Sequence, residues 1–170
     1  MVTLRLDAST TCVGYAFTKD KKILDMGLID IKKESTPKDK VQKVLEFLNK
    51  SSYIDNVFDI HIEDNLSGFA GGRTSQQVII KLAKFNAILC FMLEEMFDFN
   101  VHSINPMTAR KNVFGKARVK GKKAKEFVKE EIENRYNTKK WCKETTRGNW
   151  DKRNIDAYDG LVMSLFEKKD

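Results

Sequence analysis

Residues 4–16 read Leu4-Arg5-Leu6-Asp7-Ala8-Ser9-Thr10-Thr11-Cys12-Val13-Gly14-Tyr15-Ala16. An apolar run stops on an acid, passes a short polar turn and resumes, which is the pattern of a strand, a turn and a second strand. A carboxylate ending a buried strand is costly unless its charge is compensated, and the usual compensation is a cation. The same ending recurs in Val57-Phe58-Asp59-Ile60-His61-Ile62-Glu63. Two further acids, Asp156 and Asp159, stand three apart in Asn154-Ile155-Asp156-Ala157-Tyr158-Asp159. At that spacing they share one face of a helix. Hard cations such as Mg²⁺ take oxygen ligands, so Asp7, Glu63, Asp156 and Asp159 are the candidate metal-binding and catalytic residues.

Outward from this stretch, residues 2–7, about 11–18 and about 22–31 read as three consecutive strands, with Lys19-Asp20-Lys21-Lys22 as a hairpin turn. Thr36-Pro37 opens a helix whose apolar positions Val41, Val44, Leu45 and Leu48 follow helical spacing. A fourth strand near 57–63 leads through a Gly-rich loop, Ser67 to Gly72, into a long helix of about 74–97, with Thr74 or Ser75 as N-cap. A fifth strand at 101–104, a short helix from Asn105-Pro106, a basic loop at 115–121, a charged helix at about 122–136, an irregular stretch at 138–152 and a last helix at about 153–167 complete the order. That order predicts one α/β domain over residues 1–170. Its mixed five-stranded sheet has three antiparallel strands, two parallel additions by helical crossover, and flanking helices.

The 170 residues suffice for one domain with a sizeable core. The three cysteines, Cys12, Cys90 and Cys142, have no zinc or disulfide spacing and suggest a reducing interior. No secretory signal is read at the N-terminus. Lys81, Lys84, Asn86, Glu94 and Glu95 interrupt the apolar stretch from Val78 to Phe97, so no membrane span is expected. A cytoplasmic location, in a bacterium or an infected host cell, follows as the expectation. The net charge of +7 is uneven: residues 101–153 hold 16 Lys/Arg against 6 Asp/Glu, leaving 15 against 18 elsewhere. A basic run is commonly no more than a solvated surface. Lying between the second and third acidic positions, it points instead to a polyanionic substrate.

These motifs carry a resemblance. Leu4 to Ala16 looks like the opening strand pair of RuvC-type Holliday-junction resolvases, members of the RNase H-like superfamily. Ile62-Glu63 with its Gly/Phe loop and long apolar helix resembles their second motif. Asn105-Pro106 with Arg110-Lys111, Lys116 and Lys122-Lys123 resembles their basic segment, and Asp156-Ala157-Tyr158-Asp159-Gly160-Leu161-Val162 their closing helix. The small size and Lys-rich composition look more like a phage or viral member. Residues 137–152, with Trp141 and Trp150, are longer than the resemblance leads one to expect.

The resemblance implies an RNase H-like fold, two Mg²⁺ ions per site with Mn²⁺ as a plausible substitute, and paired symmetric nicking of four-way DNA junctions, the activity of a crossover-junction endodeoxyribonuclease. Asp7 would bridge the two ions, Glu63 and Asp159 would flank it, and Asp156 would complete one position. Lys116, Arg118, Lys120, Lys122 and Lys123, with Arg110, Lys111 and Arg73, are the expected phosphate contacts, although any one of them taken alone reads first as an ordinary surface cation. Phe69 either stacks on a base of an opened junction or anchors its loop. Glu63 has Asp64 beside it, and consecutive strand residues face opposite sides. Asp156 also suits the first turn of a helix for dipole reasons alone. The 74–97 helix is apolar nearly all round, which predicts burial on two faces. One face would cover the sheet; the other would meet the same helix of a second subunit, in a homodimer, or other helices of this chain.

Three other functions remain open on the residues. An RNase H-like nuclease could act on flaps, other branched DNA or RNA–DNA hybrids with the same metal chemistry. Asp7-Ala8-Ser9-Thr10-Thr11 before Gly14 also resembles the phosphate-binding hairpin of sugar kinases and actin-like ATPases, whose second domain 170 residues cannot supply. A non-catalytic DNA-binding module would be expected to lack at least one of the acids.

Overall fold

The computed structural model describes residues 1–64, 76–97 and 101–166. The Thr74 or Ser75 cap, Phe69 and Arg73 therefore lie outside the described residues. The strands are β1 (Val2–Ala8), β2 (Cys12–Lys19), β3 (Lys22–Asp30), β4 (Val57–Glu63) and β5 (Val101–Ile104). The helices are α1 (Pro37–Asn49), α2 (Gln76–Phe97), α3 (Pro106–Phe114), α4 (Ala124–Arg135) and α5 (Asn154–Leu165). The sheet order is β3-β2-β1-β4-β5, antiparallel across the first three and parallel from β1 to β4 to β5. This is the mixed sheet the sequence predicts.

Local chemistry sets the element ends. Thr36 caps α1 through the Asp39 amide at 3.1 Å, and Pro37 supplies a fixed first-turn φ. Asn105 caps α3 through the amides of Met107 (2.9 Å) and Thr108 (3.3 Å), and Gly115 stops that helix with a φ of +76°.

Alternation along β1 divides the core. Leu4, Leu6 and Ala8 face α1 and α2, where Val41, Val44, Leu48, Leu82, Phe85, Leu89 and Leu93 pack. Arg5 and Asp7 face the other way, and both are buried. That second face is covered by α3, α4 and α5, with Phe127, Val128, Ile132, Ile155, Leu161 and Val162 in its core. α5 runs antiparallel to β1, because Arg5 Nε donates to Met163 O at 3.3 Å while Asp7 lies toward Asp156 and Asp159.

One glycine fixes this crossing. Gly14 pairs with Asp7 across β1 and β2. A Cβ on Gly14 would stand 2.2 Å from the carbonyl carbon and oxygen of Asp156. The absent side chain lets α5 lie on the sheet directly beside Asp7.

Of the two coverings expected for the second face of α2, helices of this chain are ruled out among the described residues: Leu82, Phe85, Leu89 and Leu93 pack inward, whereas Ile80 and Phe91 on the opposite side are 53% and 59% exposed. The chain turns one stripe of this helix toward its core, Ile88, Cys90 and Phe97 flank that stripe half-buried, and Val78, Ile80, Phe91, Met92 and Met96 are left at the surface. Contrary to the sequence expectation, its charges do not exclude a membrane span by composition, since the 22 residues of α2 are long and apolar enough to cross one. What marks α2 as part of this domain is its packed stripe, not its polarity.

Residues 138–152 are better ordered than the irregular stretch expected. They contain a 3₁₀ turn, Lys139–Trp141, and an antiparallel bridge between Glu144 and Trp150. Asn154 exchanges hydrogen bonds with the Lys143 backbone at 2.8 and 2.9 Å, and Lys143 Nζ reaches Leu28 O at 3.0 Å. Tyr158 of α5 meets Thr138 Oγ1 at 2.8 Å. The segment thus straps α5 against the sheet.

Candidate metal centre and nucleic-acid face

The four predicted acids come together where β1, β4 and α5 meet. Asp7 and Asp159 are buried, and Glu63 and Asp156 are half-buried. Asp59, His61 and Glu63 leave one face of β4, while Ile60 and Ile62 enter the core on the other. Glu63, not Asp64, therefore reaches Asp7. Asp64 continues the ladder by donating its amide to Ile104 O at 2.9 Å.

The electrostatics are those of crowded like charges. Burial, then the charges of Glu63, Asp159 and Asp156, hold the Asp7 carboxyl well above the usual carboxylate range. Asp7 shares a hydrogen bond with Glu63. Burial also raises Glu63 and Asp159, the latter against the pull of Arg110 and Lys125.

Among the described residues, two cations answer the four acids. Arg110 Nη2 donates to Asp159 Oδ1 at 2.7 Å, and Lys125 Nζ to Asp156 Oδ1 at 3.2 Å. Burial alone would lower Lys125, but Asp156, Asp159 and Asp7 hold it above its ordinary value. The Cys12 thiol donates to Asp156 Oδ2 at 3.1 Å, and burial pushes that thiol up to about 11. Opposed by two cations, four ionised carboxylates leave an excess of negative charge in a largely buried place. That donor set fits one or more hard cations bound by oxygen. The ion pairs draw Asp156 and Asp159 toward α4 and α3, and a metal would recruit them from those partners.

Arg110 thus lies inside the carboxylate cluster rather than on the outer surface expected of a phosphate contact. Lys125 and Cys12 were not singled out from the sequence. Charge alone does not separate Lys125 from Lys122 and Lys123; the start of α4 at Ala124 is what turns Lys125 toward α5. The other basic candidates form a face beside the cluster. Lys111, Lys116, Arg118, Lys120 and Lys123 are exposed on α3 and the loop after it. Lys116 Nζ stands 5.5 Å from the centre of the Phe127 ring, Arg118 touches Met107 Sδ at 3.6 Å, and Lys122 pairs with Glu130. Gly115 and Gly121, both at positive φ, bend this loop.

A second group was also missed. Donor atoms of Asp59, His61 and His102 lie within 4.8 Å of one another, farther along the same face of β4. Its signal is the β4–β5 register, which places His61 beside His102 and which residue spacing does not disclose.

No protein-family model and no curated protein matches the sequence. The structure, in contrast, is similar to solved ones over nearly its whole length. Thermus thermophilus RuvC superposes with a TM-score of 0.60 at 10% identity, covering 97% of this chain and 91% of that one. T. thermophilus RuvC in complex with a Holliday junction substrate gives 0.65 at 11% identity, with the same coverage. The yeast mitochondrial Holliday junction resolvase Ydc2 gives 0.60 at 16% identity, covering 96% of this chain and 75% of that one. The chain has the RNase H-like fold of the RuvC and Ydc2 resolvases.

Proposed function

We propose that this protein is a divalent-metal-dependent nuclease that resolves four-way DNA junctions by paired nicks. The observation that carries the reading is the quartet Asp7, Glu63, Asp156 and Asp159, gathered around a buried excess of negative charge beside a basic face. The likeness to T. thermophilus RuvC in complex with a Holliday junction substrate supports the substrate class.

Asp7, Glu63, Asp156 and Asp159 would hold the metal. Two Mg²⁺ ions bound there would supply an activated water and charge stabilisation for the leaving 3′-oxygen. Asp7, on the central strand beside Glu63, would be a ligand of that metal. Lys111, Lys116, Arg118, Lys120 and Lys123 would track the phosphate backbone, and their contacts would make binding strongly salt-dependent. The exposed face of α2 would join two copies, so that two sites meet a junction with matching two-fold symmetry. Residues 1–170 would act as one nuclease domain.

The test is cleavage by pure protein in Mg²⁺ of a four-way junction, a flap, a duplex and an RNA–DNA hybrid. Preferential junction cutting is expected. Equal cutting of all four, or preference for a flap or the hybrid, would overturn the junction assignment. Asp7→Asn should abolish cleavage while retaining junction binding, and a variant that still cuts would remove Asp7 from the site.

A further inference from the structure

We infer a second, transition-metal site, built from Asp59, His61 and His102 on the same sheet face as the carboxylate quartet. The sheet register makes it. Asp59 and His61 are alternate residues of β4, so their side chains leave one face. His61 is paired in register with His102 on β5, and the two rings are 5.3 Å apart.

The spacing suits a bound ion. Bonds of about 2.0–2.2 Å to imidazole nitrogen and carboxylate oxygen set the edge of a tetrahedral site at roughly 3.4 Å. His61 Nε2 stands 3.4 Å from Asp59 Oδ1. All three donors fall within 4.8 Å, and the exposed ring of His102 has room to close the remaining distance.

The surroundings orient the ligands. Arg5 Nη2 holds Asp59 Oδ2 at 3.0 Å, which leaves Oδ1 turned to His61. Arg5 is itself buried and anchored on Leu4 O and Met163 O. Such outer partners fix the geometry of a ligating carboxylate. Ser103, Asn105, Thr108 and Phe166 line the groove over the site, where water would complete the coordination.

Two imidazoles and one carboxylate select the ion. Mg²⁺ prefers oxygen, whereas imidazole suits Zn²⁺, Co²⁺, Ni²⁺ and Cu²⁺. The site is separate from the quartet, because Glu63 lies two residues, or about 6.6 Å, farther along β4. Its consequence is mechanical. β5 is an edge strand paired with β4 over only four residues, and an ion shared by His61 and His102 would clamp it to the strand that carries Glu63.

The inference does not depend on the nuclease reading. Its test is titration of the full chain with Zn²⁺, and with Co²⁺ for its visible absorption, in excess Mg²⁺. The wild type and Asp7→Asn should each bind one equivalent and melt at a higher temperature with Zn²⁺. His102→Ala, at an exposed position, and His61→Gln should each bind at least about tenfold more weakly and lose the thermal shift. Absence of Zn²⁺ binding by the wild type would reduce the group to an Asp59–His61 ion pair and overturn the site. Equal binding by His102→Ala, or loss of binding in Asp7→Asn, would place the ion elsewhere and overturn it as well.

Discussion

Arg110 and Lys125 occupy the positions that decide how the quartet behaves without metal. Each pairs directly with one acid of α5, and their charges extend to the other two, Arg110 pulling Glu63 down and Lys125 held up in part by Asp7. Arg110→Ala would leave Asp159 buried without its partner, which costs about 3–5 kcal/mol when a buried ion pair is broken from one side. Urea unfolding should show that loss in chelator, and Mg²⁺ should restore more stability to the variant than to the wild type. The pH dependence follows from the raised carboxyls. Asp7, Glu63 and Asp159 hold protons more tightly folded than unfolded, so the native state binds more protons between the two ranges. Their contribution is therefore fully present below the ordinary carboxylate range and is lost as pH rises through the folded values. Metal-free protein should lose stability from acid toward neutral pH through this cluster, on top of whatever the rest of the chain does. Asp7→Asn should flatten that loss and stabilise the metal-free chain at neutral pH by on the order of 1–3 kcal/mol, the opposite of its effect on cleavage. A variant less stable than wild type in chelator at neutral pH would contradict the charge argument.

The crossing of α5 over β2 brings the acids of two remote segments together. Gly14→Ala would put a methyl group 2.2 Å from the Asp156 carbonyl, and that neighbour is backbone, which cannot rotate away. Overpacking of this kind typically costs about 1–3 kcal/mol, and here the relief available is a lift of α5 from the sheet. Cleavage should fall far more than the melting temperature implies, while junction binding through α3 and its loop persists; a fully active Gly14→Ala would show that the helix does not need this approach. Much of the arrangement was legible beforehand. Leu4-Arg5-Leu6-Asp7 and Ile60-His61-Ile62-Glu63 announce strand ends, and the spacing of Asp156 and Asp159 announces one helix face. What stayed hidden depends on how elements meet. The start of α4 selects Lys125. The packing of α3 on α5 turns Arg110 inward. The β4–β5 register joins His61 to His102, and Asn154 with Lys143 shows why residues 138–152 fold back along α5. Periodicity within one segment carries no information on any of these.

At the scale of the whole molecule, the unpaired feature is the outer face of α2. Ile80, Ala87 and Phe91 recur at helical spacing opposite the buried Leu82, Phe85, Leu89 and Leu93, and all three outer residues are exposed. Among the described residues, no element of the same chain covers them. Apolar side chains in such a stripe gain by meeting an equal stripe, and the simplest closed pairing is a two-fold one. Replacing Ile80 and Phe91 together by Glu leaves the inward stripe intact and sets like charges against each other across the two-fold axis. Sedimentation velocity should then show a dimer for the wild type and a monomer for the double variant, with the far-ultraviolet spectrum unchanged. The consequence for activity is specific. A monomer keeps its quartet, so it should still nick a junction in Mg²⁺, but the two cuts should become independent. On a supercoiled plasmid with an extruded cruciform, the wild type should give linear product in one binding event, and the variant should accumulate nicked circles first. A monomeric wild type would remove α2 as the pairing surface, and paired cutting by the monomeric variant would separate symmetric resolution from this dimer altogether.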